Sequence, residues 1–139
     1  MSILIFDKKF FDSYSFALKK LPKDVLCHSY RVYYKAVWLT GEKYNAFTFL
    51  ALMHDVFEDT DLPLKTIEDL HLRNSLDLLT RKKEQKYDDY ISSIRENKQE
   101  YFETYAVKIL DLQDHLQQRK TLKKSLENRY IKALLLLYM

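Results

Sequence analysis

The chain has little that would break or staple a fold: one Gly, two Pro and one Cys in 139 residues. A single cysteine excludes an intramolecular disulfide and points to a reducing compartment. So few breakers argue against a fold of many tight turns. With 47% hydrophobic residues, they favour long helices joined by short loops. The longest apolar run, Ala133 to Met139, is far too short to span a bilayer. The opening Met1-Ser2-Ile3-Leu4-Ile5-Phe6-Asp7-Lys8-Lys9 lacks the basic region that precedes the apolar stretch of a secretory signal. The expectation is one cytoplasmic domain over residues 1–139, with no membrane segment. A net charge of +3 is too mild for a nucleic-acid binder. Its basic residues cluster at Arg81-Lys82-Lys83 and from Arg119 to Lys132. Such clusters are either solvated helix faces or a funnel for a phosphorylated small molecule.

Apolar spacing at i, i+3, i+4 and i+7 predicts an all-α chain of about seven helices. Lys8 to Leu21 reads as one amphipathic helix, ended by Pro22-Lys23-Asp24 with Asp24 as the next N-cap. Val25 to Leu39 follows, stopped by Gly41 as a left-handed helix terminus. Tyr44 to Val56 forms a central helix, and Thr60 to Pro63 a loop. A short helix from Leu64 or Thr66 to His71, a second from Leu72 to Thr80, and a third from Tyr87 to Glu96 come next. Glu100 to Gln118 is predicted to bury Tyr101, Tyr105, Ile109, Leu112 and Leu116, and Leu122 to Tyr138 closes the fold.

The chemistry gathers on Phe49-Leu50-Ala51-Leu52-Met53-His54-Asp55-Val56-Phe57-Glu58-Asp59-Thr60. On one helix, His54 lies a turn from Glu58 and Asp55 a turn from Asp59. Burying an imidazole among three carboxyls is costly unless a cation or substrate compensates. Alternatively, these are solvated charges at a helix end. His28 on the preceding helix and Asp111 inside Val107-Lys108-Ile109-Leu110-Asp111-Leu112 supply a further imidazole and carboxylate. Two His and two Asp suit a first-row cation such as Mn²⁺, Fe²⁺ or Zn²⁺. His115 stands one turn beyond Asp111, where it either lines the site or is structural. His71 reads as structural, and Cys27 as a small buried residue rather than a ligand.

His28, His54-Asp55 and Asp111, in that order, resemble the H…HD…D pattern of HD-domain metal-dependent phosphohydrolases. Within that superfamily, His54-Asp55-Val56-Phe57-Glu58-Asp59-Thr60 is similar to the HDxxEDT signature of the hydrolase domain of bacterial stringent-response (RelA/SpoT) proteins. Leu79-Thr80-Arg81, Tyr87-Asp88-Asp89-Tyr90-Ile91 and the Val107 to Leu112 block resemble further parts of that domain, from about His28 to Leu116. The resemblance implies a compact helical bundle holding one divalent metal, usually Mn²⁺, by His28, His54, Asp55 and Asp111. It implies that Glu58 and Asp59 assist an attacking water. It also implies a guanosine-nucleotide substrate, guanosine 3′,5′-bis(diphosphate), losing its 3′-pyrophosphate. Arg81, Lys82, Lys83 and His115 are the candidates for substrate contact.

Three departures accompany the likeness. His115 replaces an Asn that faces the nucleotide in that family. Lys23-Asp24-Val25-Leu26-Cys27 stands where family members carry a Gly-containing Pro-Tyr segment. The synthetase and regulatory domains of the long proteins have no counterpart in these residues, so a small stand-alone hydrolase is expected. The alternatives are a general HD nucleotidase or phosphodiesterase, and a nucleotide-binding HD domain without turnover.

Overall fold

A computed structural model describes residues 4–118 and 120–139, whose regular structure is all helical, without a strand. Two short helices, α1 (Lys8–Asp12) and α2 (Ser15–Leu18), lead into α3 (Lys23–Thr40), α4 (Ala46–Met53) and α5 (Val56–Asp59). A 3-10 turn (Leu64–Thr66) precedes α6 (Leu70–Leu79), α7 (Tyr87–Glu96), α8 (Phe102–Gln117) and α9 (Lys124–Tyr138). The expected bundle is therefore present. Its helices outnumber the expected seven because two of them are split by turns. Among the described residues, no helix is long and apolar enough to cross a membrane. Met1 to Ile3, part of the opening stretch, and Arg119, part of the C-terminal basic cluster, lie outside the described residues.

The N-terminal helix expected from Lys8 to Leu21 is interrupted at Ser13–Tyr14, where Ser13 donates through Oγ to the Phe10 carbonyl. The turn wraps Phe10, Phe11 and Tyr14 around Phe49 of α4, at ring-centroid distances of 5.0, 5.4 and 5.2 Å. Burial of such rings outweighs the helical bonds lost, because each aromatic side chain contributes about 1.5–3 kcal/mol. Asp24 lies inside the first turn of α3, where it faces the helix dipole, and Pro22 takes the cap position instead. Gly41 does end α3 in a left-handed conformation, with φ 73°. The helix expected near Leu64 reduces to the 3-10 turn, and His71 belongs to α6.

Asn45 starts α4 with a reciprocal cap: it accepts from the Thr48 amide and donates its own to Thr48 Oγ1. Residues Thr48 to Met53 are all buried, so α4 is enclosed on every side, packing chiefly on α3 and α8. The buried side of α8 departs from its expected apolar stripe. Of Tyr101, Tyr105, Ile109, Leu112 and Leu116, only Leu112 is buried; the others are partly covered. The interior instead receives Thr104, Lys108, Asp111 and Asp114, spaced at helical intervals and mixed with Val107 and Leu110. A polar helix face turned inward needs partners, and α3 and α4 supply them.

Candidate metal centre

The central helix expected from Tyr44 to Val56 stops at Met53, and His54–Asp55 form a turn before α5. Successive residues on an unbroken helix point about 100° apart. At φ −99°, ψ −4°, Asp55 lies at the edge of the right-handed helical region and brings its Oδ2 to 3.1 Å from His54 Nε2. The expected His54–Glu58 row along one helix is thus replaced by a turn that makes neighbours in sequence converge.

His28 arrives from α3 and Asp111 from α8. Asp111 Oδ1 lies 2.7 Å from His28 Nε2 and 3.2 Å from His54 Nε2, and the two Nε2 atoms are 3.2 Å apart. Asp55 Oδ2 stands 3.7 Å from His28 Nε2. One ligand atom from each of the four residues falls within 4.8 Å of all the others, so these residues could hold a single metal ion.

The hydrogen bonds behind the rings test that fit. His54 Nδ1 is 2.7 Å from the Ala51 carbonyl oxygen, which only accepts, so Nδ1 carries the hydrogen. His28 Nδ1 likewise donates to Asp114 Oδ2 at 2.7 Å. With Nδ1 protonated in both, the neutral form of each ring presents its Nε2 lone pair inward, toward two carboxylates. Four acceptors facing one point repel unless a proton or a cation lies among them. The residues fit a divalent metal, and each imidazole already has the outward partner that fixes a ligating tautomer.

The electrostatics agree. Burial alone would lower the His28 pKa, but bonds to Asp111 and Asp114 outweigh it and hold the value above its ordinary position. For His54 burial is again the largest influence, yet Asp55 and Asp111 together raise the pKa well above the usual imidazole range. Burial pushes Asp111 up, while the Lys108 ammonium and three imidazoles pull harder and leave it well below the usual carboxylate range. Asp55 is lowered on balance, with His54 overcoming burial. Burial, then the neighbouring carboxylates, raise Glu58 and Asp59, although Lys108 opposes the effect at Glu58.

An open cleft of about 520 Å³ reaches this centre; its lining includes Asp24, His28, Arg31, Asp55, Asp59 and His115. Asp59 lines the cleft, and Glu58, the residue before it on the exposed end of α5, does not. His115 does face the site: its Nε2 lies 3.3 Å from Asp111 Oδ1. Its ring is stacked between His28, with centroids 4.3 Å apart, and Tyr130, at 4.8 Å. Cys27, expected to be buried, is exposed and lines the same cleft, because the register of α3 that turns His28 inward leaves its neighbour outside.

Arg81, Lys82 and Lys83 do not line it. Arg81 donates to the Gln85 carbonyl and lies over the Tyr87 ring, while Lys82 closes the end of α6 on the Asp77 and Thr80 carbonyls. Lys83 is exposed. The carbonyls left over at a helix C-terminus draw such a lysine locally.

Three functional neighbours escaped the sequence reading. Lys108 is buried and bonds Asp111 Oδ2 at 2.7 Å, above the Tyr90 ring at 4.9 Å. Asp114, 1% exposed, accepts from His28, Arg31 and Lys35. Arg31 lines the cleft. The available signal was the spacing of Lys108, Asp111 and Asp114 on one helix, flanked by apolar residues on both sides. A family model described as HD domain matches residues 25–134. No curated protein and no solved structure gives a significant match.

Proposed function

The chain belongs to the HD-domain family, which implies a metal-dependent phosphohydrolase, and we propose that His28, His54, Asp55 and Asp111 hold one divalent ion for that purpose. The observation that carries this reading is the convergence of two imidazole Nε2 atoms and two carboxylates at the inner end of a solvent-open cleft. Mn²⁺ is the first metal to test, with Fe²⁺ and Zn²⁺ suited to the same donors. Such an ion supplies Lewis acidity, lowering the pKa of water and offsetting charge on a phosphoryl group. The residues around it divide the remaining work. Asp59, on the cleft wall, orients the attacking water and takes its proton on a carboxylate oxygen, with Glu58 beside it as the exit toward solvent. Their upward-shifted pKa values bring both carboxyls closer to the range in which a proton is accepted and returned near neutral pH. Lys108 holds Asp111 Oδ2 and so leaves Oδ1 for the metal.

The first substrate is guanosine 3′,5′-bis(diphosphate), with loss of its 3′-pyrophosphate. The signature spanning His54 to Thr60 supports it. A specific observation favours a second reading, a nucleotidase or phosphodiesterase of broader base preference. Both faces of the His115 ring are covered by His28 and Tyr130, so no base stacks there. Incubation with Mn²⁺ and a nucleotide panel decides between them, with Asp55→Ala and Asp59→Ala as controls. Pyrophosphate release from the alarmone, abolished in both variants, is the expected result. Release only from other nucleotides moves the assignment to the second reading. A chain that takes up no metal at neutral pH is a binding domain without turnover.

A further inference from the structure

The cleft that opens on the metal centre is poor in positive charge. Asp24, Asp55 and Asp59 line it, and Arg31 is the one Lys or Arg on its wall among the described residues. A phosphate group, carrying negative charge, needs a counter-charge there besides the metal. The basic turn from Arg81 to Lys83 does not supply one, since it lies off the cleft.

Arg31 is built for the task. It follows His28 by three residues on α3, hence on the same helix face. Its Nε lies 3.1 and 3.0 Å from the two Asp114 oxygens, and Nη2 stands 3.0 Å from Oδ2. A guanidinium has five N–H donors, so this clamp leaves the Nη1 edge, which makes no hydrogen bond among the described residues. The side chain remains 41% exposed while its carboxylate partner is 1% exposed. The same carboxylate accepts from His28 Nδ1 at 2.7 Å and from Lys35 Nζ at 3.0 Å. One anion thus meets three donors, Arg31, Lys35 and the His28 ring. Arg31 and Lys35 leave an excess of positive charge beside the cleft. Asp114 also ties a metal ligand and a cleft-lining cation into one rigid unit.

We propose that Arg31 is the phosphate-binding residue of the cleft and that Asp114 positions it at a fixed offset from the metal centre. The inference rests on reading the cleft as a phosphohydrolase site. It goes further by assigning the anion contact to α3. Planar guanidinium donors match two phosphate oxygens at once, which a lysine at the same place would not. The Asp114 bond removes rotamer freedom before the ligand arrives, so less is lost on binding.

The test uses the full chain and calorimetric titration of Mn²⁺ alone and of inorganic phosphate, with and without Mn²⁺. Arg31→Gln is expected to weaken phosphate binding by about tenfold or more, the loss of a charge-assisted contact, while Mn²⁺ affinity stays close to wild type. Arg31→Lys is expected to recover only part of the phosphate affinity. Asp114→Asn is expected to weaken Mn²⁺ binding by about 10–100-fold and phosphate binding with it. Circular dichroism confirms that each variant is folded; if Asp114→Asn is not, the Arg31→Gln and Arg31→Lys pair decides alone. Phosphate binding that is unchanged in Arg31→Gln, or absent from the wild-type chain, overturns the proposal. A wild-type chain that binds phosphate through Arg31 but takes up no Mn²⁺ sinks the metal reading and leaves the Arg31 assignment standing.

Discussion

The two ends of α4 are held by different physics. At its N-terminal half, Phe49 sits among Phe6, Phe10, Phe11 and Tyr14, with ring centroids 5.0–6.3 Å away. Just past its C-terminus, His54 and Asp55 enter a buried cluster of acceptors and donors from α3 and α8. The aromatic end is non-directional, so neighbouring rings can shift to share a loss. The polar end is directional and mutually dependent. The groups there largely satisfy one another, and deleting one leaves buried charge without compensation. One end fixes where the helix lies; the other uses that placement.

Asp111→Ala tests the difference most severely. It removes a proposed metal ligand and leaves the Lys108 ammonium buried without its partner, so we expect Mn²⁺ binding to vanish and stability to fall by about 3–5 kcal/mol. Urea denaturation and a metal titration read the two effects separately. Adding Lys108→Met to that variant is expected to recover stability but no metal; if the double variant is less stable than the single one, the buried pair is misread. Phe49→Ala, at the opposite end, is expected to cost about 3–5 kcal/mol as well. Its Mn²⁺ affinity, measured where the protein is still folded, stays near wild type. A matching loss of affinity would mean that the two ends are not separable.

Metal itself sharpens the contrast. Mn²⁺ at about a hundred times its dissociation constant adds roughly 2.7 kcal/mol by mass action. Thermal melting with and without a chelator measures this. The gain shrinks as the medium is acidified, because protons compete for the two Nε2 lone pairs; a gain independent of pH would exclude the imidazoles as ligands. A smaller effect is expected at Tyr87, whose hydroxyl is buried and has no hydrogen-bond partner among the described residues. Burial pushes its pKa up to about 12. Because the folded value is the higher one, the neutral ring's stability contribution is complete below about pH 10. It is lost as the pH rises toward 12. Tyr87→Phe therefore removes a late component from the alkaline absorbance titration. It should be neutral or stabilising by up to about 1 kcal/mol. The mildest change is Lys82→Ala, which breaks an exposed pair with Asp77 and should cost under about 1 kcal/mol without altering phosphate binding.

Much of this was legible in advance. Hydrophobic spacing located α3 and α8 closely and α7 to the residue. Gly41 marked the end of α3, since a left-handed terminus suits glycine above other residues. The grouping of His28, His54, Asp55 and Asp111 could be anticipated because His54-Asp55 interrupts an apolar run and Asp111 interrupts another. The buried face of α8 was not. Apolar periodicity selects the stripe from Tyr101 to Leu116, but a helix that carries a buried site turns its polar residues inward, and one-dimensional hydrophobicity has no way to register that partners wait there. The pairing of Arg31 with Asp114 was hidden for the same reason: they are 83 positions apart, and only packing reveals that each completes the other.

The amino-acid order by itself determined that this chain is helical and that it carries two imidazoles and two carboxylates suited to a divalent cation. Helix formation is encoded locally, through spacing, caps and the scarcity of breakers. Tertiary structure alone decided which ring nitrogens face the centre, that Asp114 bonds His28 and Lys108 bonds Asp111, and that Arg31 rather than Arg81, Lys82 or Lys83 stands on the cleft. Those are matters of distance between remote segments. A hydrogen bond or an ion pair exists only when packing brings its atoms to about 3 Å in the right direction.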